Sequence, residues 1–288
     1  LVSIIRRRAV PRFSHSLGGM SCFHPRLTIL DQSMKLAKLT HPDTAKAVLA
    51  IVFDQTVMPL PPSDGWPLSI EALLLQFDQF RDRLQALADG KGDNGWPLEQ
   101  VVFDSPLRQP EKIICVGKNY ADHAKEMGGD APALPIIFSK FASSIVGPQE
   151  PIVLPELSQQ VDFEAELVVV IGTQGKLIAR ENAMDHVFGY CCGNDISARD
   201  WQKGKPGGQW LLGKTMDSFA PLGPVIVTAD EIPDPQNLRV QLRLNGQLMQ
   251  DASTADMIFS IDRLVSHVSN FVTLMPGDLI FTGTPPGV

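Results

Sequence analysis

Residues 161–170 read "VDFEAELVVV", in which apolar and acidic residues alternate before the stretch becomes wholly apolar. This is the pattern of a β-strand. Strand side chains repeat with period two, so Asp162, Glu164 and Glu166 share one face while Val161, Phe163, Ala165 and Leu167 share the other. Three like charges at steps of about 7 Å repel one another unless something positive sits among them. A hard divalent cation would serve, because Mg²⁺, Mn²⁺ and Ca²⁺ prefer carboxylate oxygens. A solvent-facing strand that carries acids for solubility would look the same.

Around this strand, from Pro106 onward, short Val, Ile, Leu and Phe runs alternate with Gly and Pro: "KIICVG", "PIIFSK", "GPVIVT", "LRVQLRLNG", "DLIFTGTP". They predict a β-rich α+β catalytic domain over 106–288, with helices at "ENAMDHVFG" and "FSIDRLVSHVSNFVTL". A doubly wound fold would need long alternation of strand and helix, which is missing. Residues 34–105 form a small N-terminal domain. It comprises a small sheet over 35–57 and a helix over "LSIEALLLQFDQFRDRLQALA", with Ser69 as its N-cap and "DGKGDNG" as its stop.

The chain has 288 residues, 44% hydrophobic and 20% charged, with a net charge of −7. No apolar run of about 18 residues exists to cross a membrane. Residues 1–33 are a disordered or targeting-like extension: Arg6, Arg7, Arg8, Arg12 and Arg26 fall in an acid-free start. This is the composition of a mitochondrial or plastid targeting segment. A mitochondrial location follows if the segment is read that way, and a cytoplasmic one if it is not. Without those five arginines, 20 basic residues face 32 acidic ones. So acidic a body is a poor partner for nucleic acid or anionic lipid. Four cysteines, none in a CxxC pair, argue against a disulfide scaffold and thiolate-held zinc.

Three further segments carry polar groups at the ends of apolar runs. In "CVGKNYADHAKEM", Asn119 could cap a helix that sets His123 and Glu126 three apart on one face, a general base oriented by a carboxylate or mere helix decoration. In "GYCCGNDISARDWQ", Asn194 and Asp195 end a strand before Arg199, Asp200 and Gln202; Asp195 is either a site carboxylate or an N-cap. "GQWLLGKT" satisfies the phosphate-loop pattern, but its bulky "QWLL" and the absence of a long following helix make the match false. Lys214 there reads as a lone cation for an anionic substrate or a developing enolate, or as a surface lysine.

Together, "IICVGKNYADHAKEM", "PIIFSKFASSIVGP", "VDFEAELVVVIG", "GNDISARDWQ", "WLLGKTMDSFAPLGP" and "PGDLIFTGTPPGV" resemble the fumarylacetoacetate hydrolase family, most nearly its domain-containing protein 2 branch. The likeness covers residues 106–288 and, more loosely, those from Met34. It implies a mixed β-sandwich roll assembled as a homodimer. By the same resemblance Glu164, Glu166 and Asp195 are metal ligands, with Asp162 a neighbour. His123 and Glu126 form a proton-handling dyad that acts with Lys214. Lys140, Arg199, Gln202 and Thr284 surround a bound 2-oxo acid. The implied cofactor is Mg²⁺, with Mn²⁺ or Ca²⁺ as alternatives.

The activity this implies first is oxaloacetate keto-enol tautomerisation by a metal-dependent isomerase. The alternatives are C–C hydrolysis of an acylpyruvate or fumarylacetoacetate type of substrate and decarboxylation of oxaloacetate. A calcium-stabilised binding or structural protein, in which the acids only hold the fold, is a reading from another class.

Overall fold

The computed structural model describes residues 4–5, 34–40, 47–90, 95–126, 128 and 130–288. Apart from residues 4 and 5, the Arg-rich extension lies outside the described residues. Among the described residues eleven strands form one mixed sheet: β1 (Lys35–Thr40), β2 (Ala47–Val52), β3 (Thr56–Leu60), β4 (Trp96–Pro97), β5 (Val102–Phe103), β6 (Ile113–Gly117), β7 (Ile136–Ser139), β8 (Ala165–Ile171), β9 (Val187–Asn194), β10 (Ile226–Thr228) and β11 (Leu279–Phe281). Their order is β4-β3-β2-β1-β10-β9-β8-β11-β6-β7, with β5 also paired to β1. Six α-helices accompany them among the described residues: α1 (Ile70–Leu74), α2 (Phe77–Asp89), α3 (Ala121–Glu126), α4 (Arg199–Gln202), α5 (Trp210–Lys214) and α6 (Ile261–Ser269). The fold is α+β, built on a large mixed sheet, as expected.

The apolar run after Glu166 explains why β8 lies deep in the sheet. Val168 and Val170 enter one core with Ile113, Cys115, Leu279 and Phe281, while Leu167, Val169 and Ile171 enter another with Ile114, Ile280 and α6 residues Leu264 and Val265. A strand buried on both faces needs no polar residue on either, so alternation vanishes from its sequence. Cys191 and Cys192 of β9 likewise divide between two cores.

Several local expectations are revised. The strand over 161–170 is broken: Val161–Asp162 pairs with Ser197–Ala198, and β8 starts only at Ala165. Across the break, side chains replace the ladder, the Glu164 N–H donating to Asn194 Oδ1 at 2.8 Å and the Ala165 N–H to Gln250 Oε1 at 2.9 Å. The helix from Ser69 is two helices, α1 and α2, interrupted at Leu75–Gln76. Ser69 does cap α1, accepting from the Ala72 N–H at 3.2 Å. "ENAMDHVFG" is a 3₁₀ turn over Arg180–His186 that leads into β9. Strands β1 to β3 do not close a sheet of their own, because β1 pairs with β10.

Asn119 does not cap α3. Its amide accepts from the Phe259 N–H at 2.8 Å and donates to the Phe259 and Thr282 carbonyls at 3.1 and 2.7 Å, tying the chain after β6 to the chain after β11. Asn119→Ala strands three buried backbone groups and should lower stability by about 2–4 kcal/mol, read from urea unfolding.

Candidate active site

Four strand ends meet at one edge. β8 is antiparallel to β9 and β11, and β6 is parallel to β11, so the start of β8 faces the C-terminal ends of the other three. Glu166 comes from the start of β8 and Glu164 from the break just before it, Asp195 from just past β9, Gly283 and Thr284 from beyond β11, and Lys118 from beyond β6. The carboxylates of Glu164, Glu166 and Asp195 converge, with one oxygen of each within 4.8 Å of the others. All three are buried. Asp162 stands outside this group, held by Arg199 at 2.9 Å.

Cations surround the carboxylates. Lys214 Nζ donates to Glu164 at 2.8 Å and to Asp195 at 2.7 Å; Lys140 Nζ donates to the other Asp195 oxygen at 2.6 Å and to the Ile196 carbonyl at 3.2 Å. Arg199 Nη1 reaches Glu164 at 2.6 Å and Gln202 Oε1 at 2.9 Å. Lys214 is therefore no surface lysine, and Asp195 no helix cap. Among the described residues no such cation pairs with Glu166, which accepts from the Gly283 N–H at 2.7 Å. Gly283 has φ 99, and a Cβ there would stand 2.7 Å from Asn119 Cβ, so glycine is needed to aim that N–H.

These surroundings set the two glutamates apart. Burial works to raise the Glu164 carboxyl, but Lys214 and Arg199 outweigh it and bring it down to about 2. Burial pushes the Glu166 carboxyl well up, and the charges of Asp195 and Glu164 push it further. A site that penalises the ionisation of its own third carboxylate has room in its charge balance for a cation. The donors are hard oxygens, so the residues present suit a divalent metal.

His123, on α3, is buried and lies 3.4 Å from Glu126. Burial lowers its pKa, against the opposing pull of Glu164 and Glu126. Glu126 also accepts from the Gly287 N–H at 3.2 Å. Thr284 is fixed by Gln250 Nε2 at 2.8 Å and donates to the Ala165 carbonyl at 2.9 Å. A cavity of about 20 Å³ joins His123, Glu164, Gln202, Lys214 and Thr284. The fold thus gathers the expected residues in one place, with Lys140 and Arg199 engaged to the carboxylates.

Sequence reasoning missed the apolar walls of this cavity, Gly117, Phe138 and Trp210. Nothing local marks Phe138, which reads as one more apolar residue of a strand. Trp210 opens one of the motifs that carry the family resemblance, but its residue type read there only as part of a bulky insert that spoils a phosphate loop.

Residues 112–288 match the family described as fumarylacetoacetate (FAA) hydrolase, C-terminal. A mitochondrial oxaloacetate tautomerase of Bos taurus is 56% identical over 192 residues, covering 67% of this chain and 61% of that protein. One of Xenopus laevis is 58% identical over 184 residues, 64% of this chain and 58% of that one. The chain therefore spans less than two thirds of the curated relatives it matches. Among solved structures, maleylpyruvate hydrolase from Sphingobium sp. SYK-6 in complex with manganese(II) ion and pyruvate is 31% identical, with a TM-score of 0.74 over 88% of this chain and 89% of that one.

Proposed function

Because the chain belongs to the fumarylacetoacetate hydrolase family, we propose that it is a divalent-metal-dependent oxaloacetate tautomerase, an isomerase acting on an enolisable 2-oxo acid. The observation that carries this is the buried group of Glu164, Glu166 and Asp195 carboxylates, with Lys214 and Arg199 beside it. Glu164, Glu166 and Asp195 would hold the metal, Mg²⁺ first and Mn²⁺ next. When bound, the ion supplies Lewis-acid polarisation of the 2-keto oxygen. Lys214 and Arg199 place positive charge where the carboxylate and the developing enolate oxygen need it. Lys140 neutralises Asp195 from behind, and Gln202 and Thr284 orient the acid. His123, neutral because it is buried, takes a proton from C3, and Glu126 holds the ring in place.

The same dyad also supports a second reading, hydrolysis of an acylpyruvate, in which His123 activates water against a distal carbonyl. The His123–Glu126 pair and the hydrolase relative with pyruvate favour it. To separate the readings, metal-free protein is mixed with enol-oxaloacetate, Mg²⁺ is added, and enol absorbance and pyruvate are followed together. Loss of enol signal without pyruvate supports the tautomerase; pyruvate formation supports decarboxylation. A flat enol signal, followed by turnover of a short acylpyruvate, supports the hydrolase.

His123 also sets a pH test. Its pKa lies below the ordinary 6.5, so more than half of the rings are still neutral at that pH and the midpoint of the acid limb of kcat/KM should fall below it. His123→Ala should remove the hydrolytic activity and that limb; an unchanged limb would assign it to another group.

The further elements of the proposal are a mitochondrial location, as in the named relatives, and a homodimer. Edge strand β7 and the turn after it expose Ile137 (42%) and Phe141 (53%), apolar surface that a second copy would cover. Light scattering tests the assembly. The small N-terminal domain over 34–105 would continue the sheet beyond β10 through β1.

A further inference from the structure

The cavity beside Glu164 has a volume of about 20 Å³, enough for roughly one water molecule. Even the smallest 2-oxo acid exceeds that, so a wall must give way for substrate to enter. Three of the polar walls are tied: Lys214 to Glu164 and Asp195, Gln202 to Arg199, Thr284 to Gln250 and the Ala165 carbonyl. Phe138 belongs to β7, bonded along its length to β6. That leaves Trp210.

Trp210 is half-buried and opens the five-residue helix α5, whose last residue is Lys214. The segment leading into it, residues 203–208, is exposed and ends in two successive left-handed glycines, Gly207 (φ 79) and Gly208 (φ 63). The indole rests on the backbone of Gly117, where a Cβ would come within 2.8 Å of Trp210 Cζ3 and 3.2 Å of Cη2. The same ring meets Phe138 edge-on, centroids 5.4 Å apart, and Phe138 lies 5.1 Å from Lys214 Nζ. Gly117 is thus a glycine for space: any side chain there would displace the indole.

We propose that Trp210 is the yielding wall of the site and determines how large a 2-oxo acid it accepts. Resting on the 2-oxo acid reading above, this deepens it into a preference for short acids. A compact acid lets the indole settle back over Gly117, restoring its ring contacts and shedding water. A long acyl chain holds the indole out and forfeits both. Trp210 acts on specificity alone and no proton or electron passes through it.

The test is calorimetric titration of the full chain in Mg²⁺ buffer with pyruvate and with 2-oxooctanoate. The parent protein should favour pyruvate. The ratio of the two dissociation constants should shift at least tenfold toward the long acid in Trp210→Ala. Gly117→Ala should shift it the same way with the indole still present, and Trp210→Phe should fall between. If Trp210→Ala does not fold, Gly117→Ala and Trp210→Phe decide. A parent that binds pyruvate while the folded variants leave the ratio unmoved overturns the wall alone. A parent that binds neither acid overturns both the wall and the 2-oxo acid reading.

Discussion

Asp195→Ala should abolish Mg²⁺ binding detectable by calorimetry and lower enol-oxaloacetate turnover by roughly 10³-fold, the scale expected when a Lewis acid and its several kcal/mol of stabilisation are lost. The same change should destabilise the protein by about 3–5 kcal/mol, since removing one partner of a buried ion pair leaves the other uncompensated. Here Lys140, with its side chain 0% exposed, loses its carboxylate partner, and Lys214, 2% exposed, keeps Glu164 alone. Asp195→Asn keeps the volume and an acceptor oxygen, so it should recover part of the stability while remaining inactive. Melting curves and metal titrations on both variants make the check. Unchanged Mg²⁺ affinity in folded Asp195→Asn would remove Asp195 from the ligands.

Lys214→Met is the second large effect, and its signature is opposite. Turnover should fall about 10²–10³-fold, the usual loss when a preorganised group facing developing charge is removed. Metal affinity should be retained or improved, because the ammonium bridging Glu164 and Asp195 repels any cation placed between them. Methionine keeps most of the side-chain volume. Much weaker Mg²⁺ binding with intact turnover would show that Lys214 only organises the carboxylates.

Part of this site was legible because its chemistry is carried by short-range pattern. Three acids at alternate positions before an apolar run already pose an electrostatic problem, and Glu164 and Glu166 solve it on one side of the sheet as the period of two requires. The rest depends on partners distant in sequence. Nothing near Asp162 shows that Arg199, 37 residues on, takes it out of the carboxylate group. Lys140 is a lysine at the end of an apolar strand until the fold sets it against Asp195, 55 residues away. The break after Asp162 has the same origin, for the groups that replace its ladder are Asn194 and Gln250. The helix interruption at Leu75–Gln76 has no Gly or Pro to announce it, and the structure offers no single cause.

The position of β11 also governs when the protein can become itself. Leu279–Phe281 slides between β6 and β8, and Asp278 takes the Lys112 N–H from 166 residues away. Until then β6 and β7 have no edge to join, and Glu166 lacks the amide of Gly283. Contacts of such long range form late and slowly, which leaves apolar strands exposed while the chain is still being synthesised. Assembly of the acidic cluster therefore waits on these long-range contacts, and a nascent chain short of residue 283 is unfinished as a sheet and lacks the amide that Glu166 accepts from.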